Sequence, residues 1–163
     1  MAVIVKFCIW ISFIALNNQV NGAMLPNSSG LELPRFVSIK ATKANMHNGA
    51  GKRYPILWVY VRQNLPVKVI AEFDVWRKVE DHEGNVGWFH QSLLSGRRTA
   101  MIMYNTRELK QKPKIKSKTL AKLEPGVVTQ LLKTTKNWCQ IKVSYQNAHI
   151  TGWVKKSNIW GVL

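Results

Sequence analysis

The 163 residues leave room for one ordinary domain or two small ones. A net charge of +16 and a pI near 10.2 make an anionic partner the first to consider. One cysteine, Cys139, lies beyond residue 22, so an internal disulfide framework is excluded; the four histidines show no metal-ligand spacing, and no phosphate-cradling glycine motif is present.

The chain opens with a short basic start to Lys6, an almost wholly apolar run from Phe7 to Leu16, and small residues at Val20-Asn21-Gly22. This is the pattern of a secretory signal peptide over residues 1–22, too short in its apolar part to span a bilayer comfortably. Cys8 stands at the start of the apolar run rather than after it, which argues against a lipid anchor. The mature chain then starts near Ala23, carries no transmembrane segment and is exported, to the periplasm or beyond. Residues 23–34, with Pro26, Asn27, Ser28, Ser29 and Gly30, read as a flexible leader.

Arg35 to Ala41 alternates Phe36/Ser38 against Val37/Ile39 and predicts a strand. Asn45 to Gly51 reads as a glycine-bearing loop. Ile56 to Arg62 is apolar on both faces, the mark of a strand well buried or partly at an interface. Leu65 to Glu72 is another strand. Trp76-Arg77-Lys78-Val79 and Val86-Gly87-Trp88-Phe89 flank an acidic, Gly-bearing turn and form a hairpin. That pattern returns about sixty residues later, from Trp138 to Val143, through a polar turn at Ser144 to His149, to Thr151-Gly152-Trp153-Val154. Met101 to Tyr104 matches the opening strand, Glu108 to Lys110 the loop entry, Leu120 to Pro125 the centre, and Val127 to Leu132 the strand Val67 to Glu72. The chain is a duplication, with repeats at 35–96 and 97–163, and no stretch has a helical period beyond a turn. Short strands at close spacing predict an all-β fold of two small barrels or sandwiches.

At these residues both repeats resemble the bacterial SH3 domain (SH3b, SH3 type 3). Asn45 to Gly51, Trp76 to Val79, Gly84 and Gly87-Trp88-Phe89 carry the likeness in the first. Leu109 to Pro113, Pro125-Gly126, Trp138 to Ile141 and Gly152-Trp153-Val154 carry it in the second. The tail from His90 to Thr99 is similar to small SH3-like proteins of Gram-negative bacteria. The resemblance implies two tandem SH3-like small β-barrels and envelope binding, often of peptidoglycan or of a partner protein. The small stand-alone members resemble proteins with no assigned activity, and no enzymatic activity and no cofactor are expected.

If Val79 faces the core, Trp76 tends outward, and by the same alternation Trp138 does so while Cys139, Ile141 and Val143 point in. Trp76 and Trp138 are therefore candidate groove residues, with His47 and Tyr54 as the opposite wall, and Trp88 and Trp153 are assigned to the structure. Residues 35–96 hold nine Lys/Arg against five Asp/Glu, a net of +4; residues 97–163 hold fourteen against two, a net of +12. Lys110, Lys112, Lys114, Lys116 and Lys118 recur at every second position, so in extended conformation they project from one side and suit an anionic polymer. Cys139 with His149 is a poor catalytic thiol, set on the inward face of a strand. The expectation is a non-catalytic module that binds peptidoglycan or another anionic envelope polymer. A protein partner is the alternative, and nucleic acid is not expected because of the export signal.

Overall fold

The computed structural model describes residues 28–146 and 148–163; the expected signal peptide lies outside them. The first barrel is built from β1 (Arg35–Ile39), β2 (Ala44–His47), β3 (Ile56–Tyr60), β4 (Pro66–Phe73), β5 (Trp76–Glu80), β6 (Val86–His90) and β7 (Leu94–Ser95). The second uses β8 (Thr99–Ile102), β9 (Arg107–Lys110), β10 (Thr119–Leu123), β11 (Val128–Thr134), β12 (Trp138–Tyr145), β13 (Ala148–Lys155) and β14 (Ile159–Trp160). One sheet runs β3-β2-β6-β5-β4-β1-β7 and the other β10-β9-β13-β12-β11-β8-β14, the same order strand for strand. The fold is all-β, two tandem SH3-like barrels, with a single 3-10 turn before the last strand of each (Gln91–Leu93 and Lys156–Asn158).

Strand alternation builds two adjoining cores. The first gathers Ile39, Met46, Val67, Val69, Val79 and Phe89; the second gathers Ile102, Leu109, Leu131, Cys139, Ile141 and Val154. Met101, from β8, belongs to the first core, so the barrels share apolar surface. Polar contacts add to this junction. Thr99 Oγ1 donates to the Asn64 carbonyl at 2.8 Å, Trp160 Nε1 donates to the Pro66 carbonyl at 3.0 Å, and Phe36 meets the Trp160 ring edge-on. Each core is small for a chain folding alone, and the shared surface adds to both.

Several expectations are corrected. Trp88 and Trp153, assigned to the structure, are half-buried beside the cores rather than within them, because the inward positions around them are Gly87 and Phe89, and Gly152 and Val154. Glycine is required there by close approach: a Cβ on Gly87 would lie 2.7 Å from Met46 Sδ, and one on Gly152 would lie 2.7 Å from Leu109 Cγ. The Gly-Trp pair is therefore a crossing point of β2 with β6, and of β9 with β13. Asn45 to His47 is strand rather than loop, since Ala44 and Met46 alternate into the core, and Glu108 to Lys110 is likewise strand. In the second hairpin the strands continue through Ser144 and His149, which pair across the ladder, leaving a shorter turn than expected.

The strand β3 is apolar on both faces but not well buried. It is an edge strand pairing with β2, and Ile56, Trp58 and Val59 are each about half exposed. The described end of the leader is pinned rather than loose: the Ser29 N–H donates to Glu72 Oε2 at 2.7 Å and its hydroxyl to Oε1 at 2.8 Å. Glu72 is fully buried and also pairs with Arg35 and, at 3.2 Å, with Arg77.

Candidate functional site

A groove of about 680 Å³ opens on the first barrel, lined by Lys43, Asn45 and His47 along β2, Lys52 from the following loop, Trp76, His90, and Ser92 and Leu93 of the 3-10 turn. Trp76 forms its floor. Trp76 starts β5 directly opposite His90 in the hairpin ladder, and His47 approaches from β2. Both imidazoles meet the indole edge-on, with ring centroids 5.5 Å away. Trp76 thus lies on the face opposite Val79, as alternation requires, yet is only 8% exposed. Two further bonds fix the imidazoles. His47 Nδ1 donates to the Tyr54 carbonyl at 2.8 Å, which leaves Nε2 as an acceptor in the neutral ring. His90 Nδ1 accepts from the Ser92 N–H at 3.3 Å and lies 2.7 Å from the Ser92 hydroxyl, which leaves Nε2–H as a donor. An apolar floor between an acceptor and a donor suits a ligand with hydroxyl and amide groups.

Tyr54 contributes its carbonyl rather than its ring. The ring packs over Gly49 and Gly51, with the Arg53 guanidinium 5.2 Å from its centroid, and Lys43, Asn45 and Lys52 supply the wall expected of it. His90, Asn45 and Ser92 went unrecognised in the sequence, although pairing the hairpin from its turn places His90 across from Trp76.

The second barrel carries hollows around Trp138 at the equivalent place. One, of about 660 Å³, is lined by Ile115, Lys136, Asn137, Trp138, Lys155, Lys156, Ser157 and Val162. The other, of about 380 Å³, shares Ile115, Trp138, Lys155 and Ser157 with it and extends to Thr106, Arg107, Glu108, Lys110 and Asn158. Trp138 pairs with Lys155 as Trp76 pairs with His90, and Lys110 pairs with Trp153 as His47 pairs with Trp88.

The five alternating lysines do not form a ladder. Lys110 ends β9 with its ammonium 2.7 Å from Glu108 and 3.0 Å from Thr119 Oγ1. From Gln111 the chain folds through tight turns, in which the Lys114 N–H donates to the Lys112 carbonyl at 2.7 Å and the Ser117 N–H to the Lys114 carbonyl at 3.1 Å. Projection from one side needs an extended backbone, and Lys112, Lys114, Lys116 and Lys118 instead ring an exposed loop.

The remaining polar groups named by the sequence lie apart or serve the fold. Cys139 is fully buried, and burial pushes its thiol up. It pairs with Val154, whereas His149 pairs with Ser144, five positions along β12, or about 17 Å of strand. Among the described residues no group of three or more His, Cys, Asp or Glu could hold a metal ion, and no helix is long and apolar enough to cross a membrane. The acidic turn is structural at Asp81, which is buried rather than solvated. It accepts from Tyr60 Oη at 2.6 Å and from the N–H groups of Glu83 and Asn85 at 2.9 and 2.8 Å. Burial alone would raise its carboxyl, but these bonds outweigh burial and hold it below the usual range.

The family model described as "Bacterial SH3 domain" matches twice, over residues 40–96 and 105–161. No curated protein matches the sequence. The solved structure of NlpC2 from Trichomonas vaginalis aligns at 7% identity with a TM-score of 0.37, covering 80% of this chain and 49% of that one, so the chain spans about half the length of that protein. The two family matches take in most of the chain, one for each barrel: the chain belongs to the bacterial SH3 domain family, in two tandem copies.

Proposed function

We propose that the protein is an exported, non-catalytic module of the bacterial cell envelope that binds peptidoglycan or another anionic wall polymer. Bacterial SH3 domains are commonly non-catalytic binding modules. The observation that carries the reading is the groove on the first barrel, where Trp76, His47, His90, Asn45 and Ser92 converge as an apolar floor with polar walls. The N-terminal pattern of residues 1–22 supports export. The net charge of the second repeat adds attraction to an anionic polymer, and two weak sites in one chain reinforce each other through effective concentration.

Retention of the mature protein on purified sacculi, measured at rising salt, tests this. Binding at low salt that weakens with salt is expected; no retention even at low salt refutes it. A second reading, a secreted adaptor for a protein partner, is favoured by the exposed apolar edge β3, to which an extended peptide can add a strand. Its sign is a specific co-purifying protein lost on Val59→Pro.

A further inference from the structure

The two barrels hold the same groove with different chemistry. Strand pairing matches His47 with Lys110, Trp76 with Trp138 and His90 with Lys155, and counting along the chain from these positions matches Asn45 with Glu108, Lys52 with Ile115 and Ser92 with Ser157 in the two linings. Both imidazoles that flank the first tryptophan are lysines beside the second. From this the geometry points to a second, separate binding site on barrel two, for an acidic oligosaccharide: a sugar ring seated on Trp138, its carboxylate or phosphate held by Lys155, Lys156 and Lys136. The site deepens the envelope-binding reading and rests on it for the source of the ligand.

Three observations support the assignment. First, the indole is less enclosed. Trp76 is closed by two edge-on imidazoles, whereas Trp138 is half-buried and, among the described residues, takes part in none of the ring–ring or cation–π contacts found. An indole without an aromatic or cationic partner suits the apolar face of a sugar. Second, the charge is concentrated and one-sided. Lys136, Lys155 and Lys156 line the larger hollow with no carboxylate among its lining residues, while Glu108 lies in the smaller one, paired with Lys110. Lysines are mobile point charges without the fork of arginine, so they match separated anionic groups on a flexible ligand better than one planar oxyanion held rigidly. Third, the hollow has a single aromatic floor. A channel for single-stranded nucleic acid needs a succession of aromatic rings for successive bases, and only Trp138 lines either hollow.

The test is a titration of the mature protein followed by the indole N–H resonances of its tryptophans, assigned with Trp138→Phe. The probes are a galacturonate oligomer, a phosphorylated mannose oligomer, a neutral chitin oligomer and oligo-dT. The acidic oligosaccharides should move the Trp138 resonance saturably, and the stronger of the two identifies the anionic group. Lys155→Gln should weaken that binding about tenfold and lower the salt slope by about one ion. Lys155→His should weaken it similarly, and the reciprocal His90→Lys should strengthen acidic-oligomer binding at Trp76, a gain that a merely steric role for the long side chain would not produce. Equal movement of Trp138 by the neutral oligomer or by oligo-dT overturns the assignment, as does movement of Trp76 alone or of neither. Sacculus retention is scored separately. A chain retained by sacculi with a silent Trp138 refutes the second site alone, and one that binds the acidic oligomers but not sacculi refutes the envelope reading alone.

Discussion

Replacing Glu72 by glutamine should remove a buried electrostatic support of the first barrel. Its carboxylate is fully buried, pairs with Arg35 and Arg77, and accepts two bonds from Ser29. Burial by itself would raise its pKa, but the bonds from Arg35 and Ser29 and the Arg35 charge outweigh it and hold the group at about 2, against an ordinary 4.5. A carboxyl depressed in the folded state stabilises it above the unfolded pKa, and that support is lost as pH falls through the folded one. The difference corresponds to about 3 kcal/mol, present above pH 4.5 and gone near pH 2. Glu72→Gln also leaves two guanidinium groups without their anion, so the loss at neutral pH should be about 3 to 5 kcal/mol. Urea denaturation of both proteins between pH 7 and pH 2 measures this. The two stability curves should lie apart at neutral pH and converge toward pH 2, with the depressed Asp81 carboxyl contributing equally to both. Curves that run parallel through the window, or that coincide at pH 7, would show the buried cluster to be energetically idle.

Other expectations follow from the same contacts. Trp76→Ala should cost about 3 to 5 kcal/mol because the ring is buried, and Trp138→Ala, on a half-buried ring, about 1 kcal/mol; equal losses by denaturant titration would contradict the difference between the grooves. Gly152→Ala should destabilise by about 1 to 3 kcal/mol, since its Cβ meets Leu109 and the Lys110 carbonyl, whereas Gly96→Ala, with nothing within 4 Å, should stay within about 0.5 kcal/mol. Native Cys139 should react with iodoacetamide on the order of a hundredfold more slowly than in the unfolded chain, because burial both hides the thiol and disfavours its thiolate. Labelling at the unfolded rate would place Cys139 outside the core.

The duplication, the all-β class and the hairpins at Trp76 and Trp138 were legible in the chain itself, because strand alternation and turn residues are local properties that recur wherever the pattern does. The Gly-Trp pairs were legible as signals but not as causes. Gly87 is glycine because Met46, some forty residues away, crosses it, and nothing within the hairpin records that crossing. The same limit governs the aromatics. Alternation placed Trp76 opposite Val79, but its burial involves His47 from β2 and His90 from β6, whereas half-buried Trp138 has lysines at those two places. Spacing suggested a lysine ladder because it presumed an extended backbone, which the turns at Lys112 to Ser117 do not provide. The two-sided apolar pattern of β3 could not reveal that it ends a sheet, since a strand's neighbours are set by topology. Local sequence thus determined which strands form and that they form twice. The tertiary structure decided what each face meets, because distant segments must come together before a face becomes core, groove or edge.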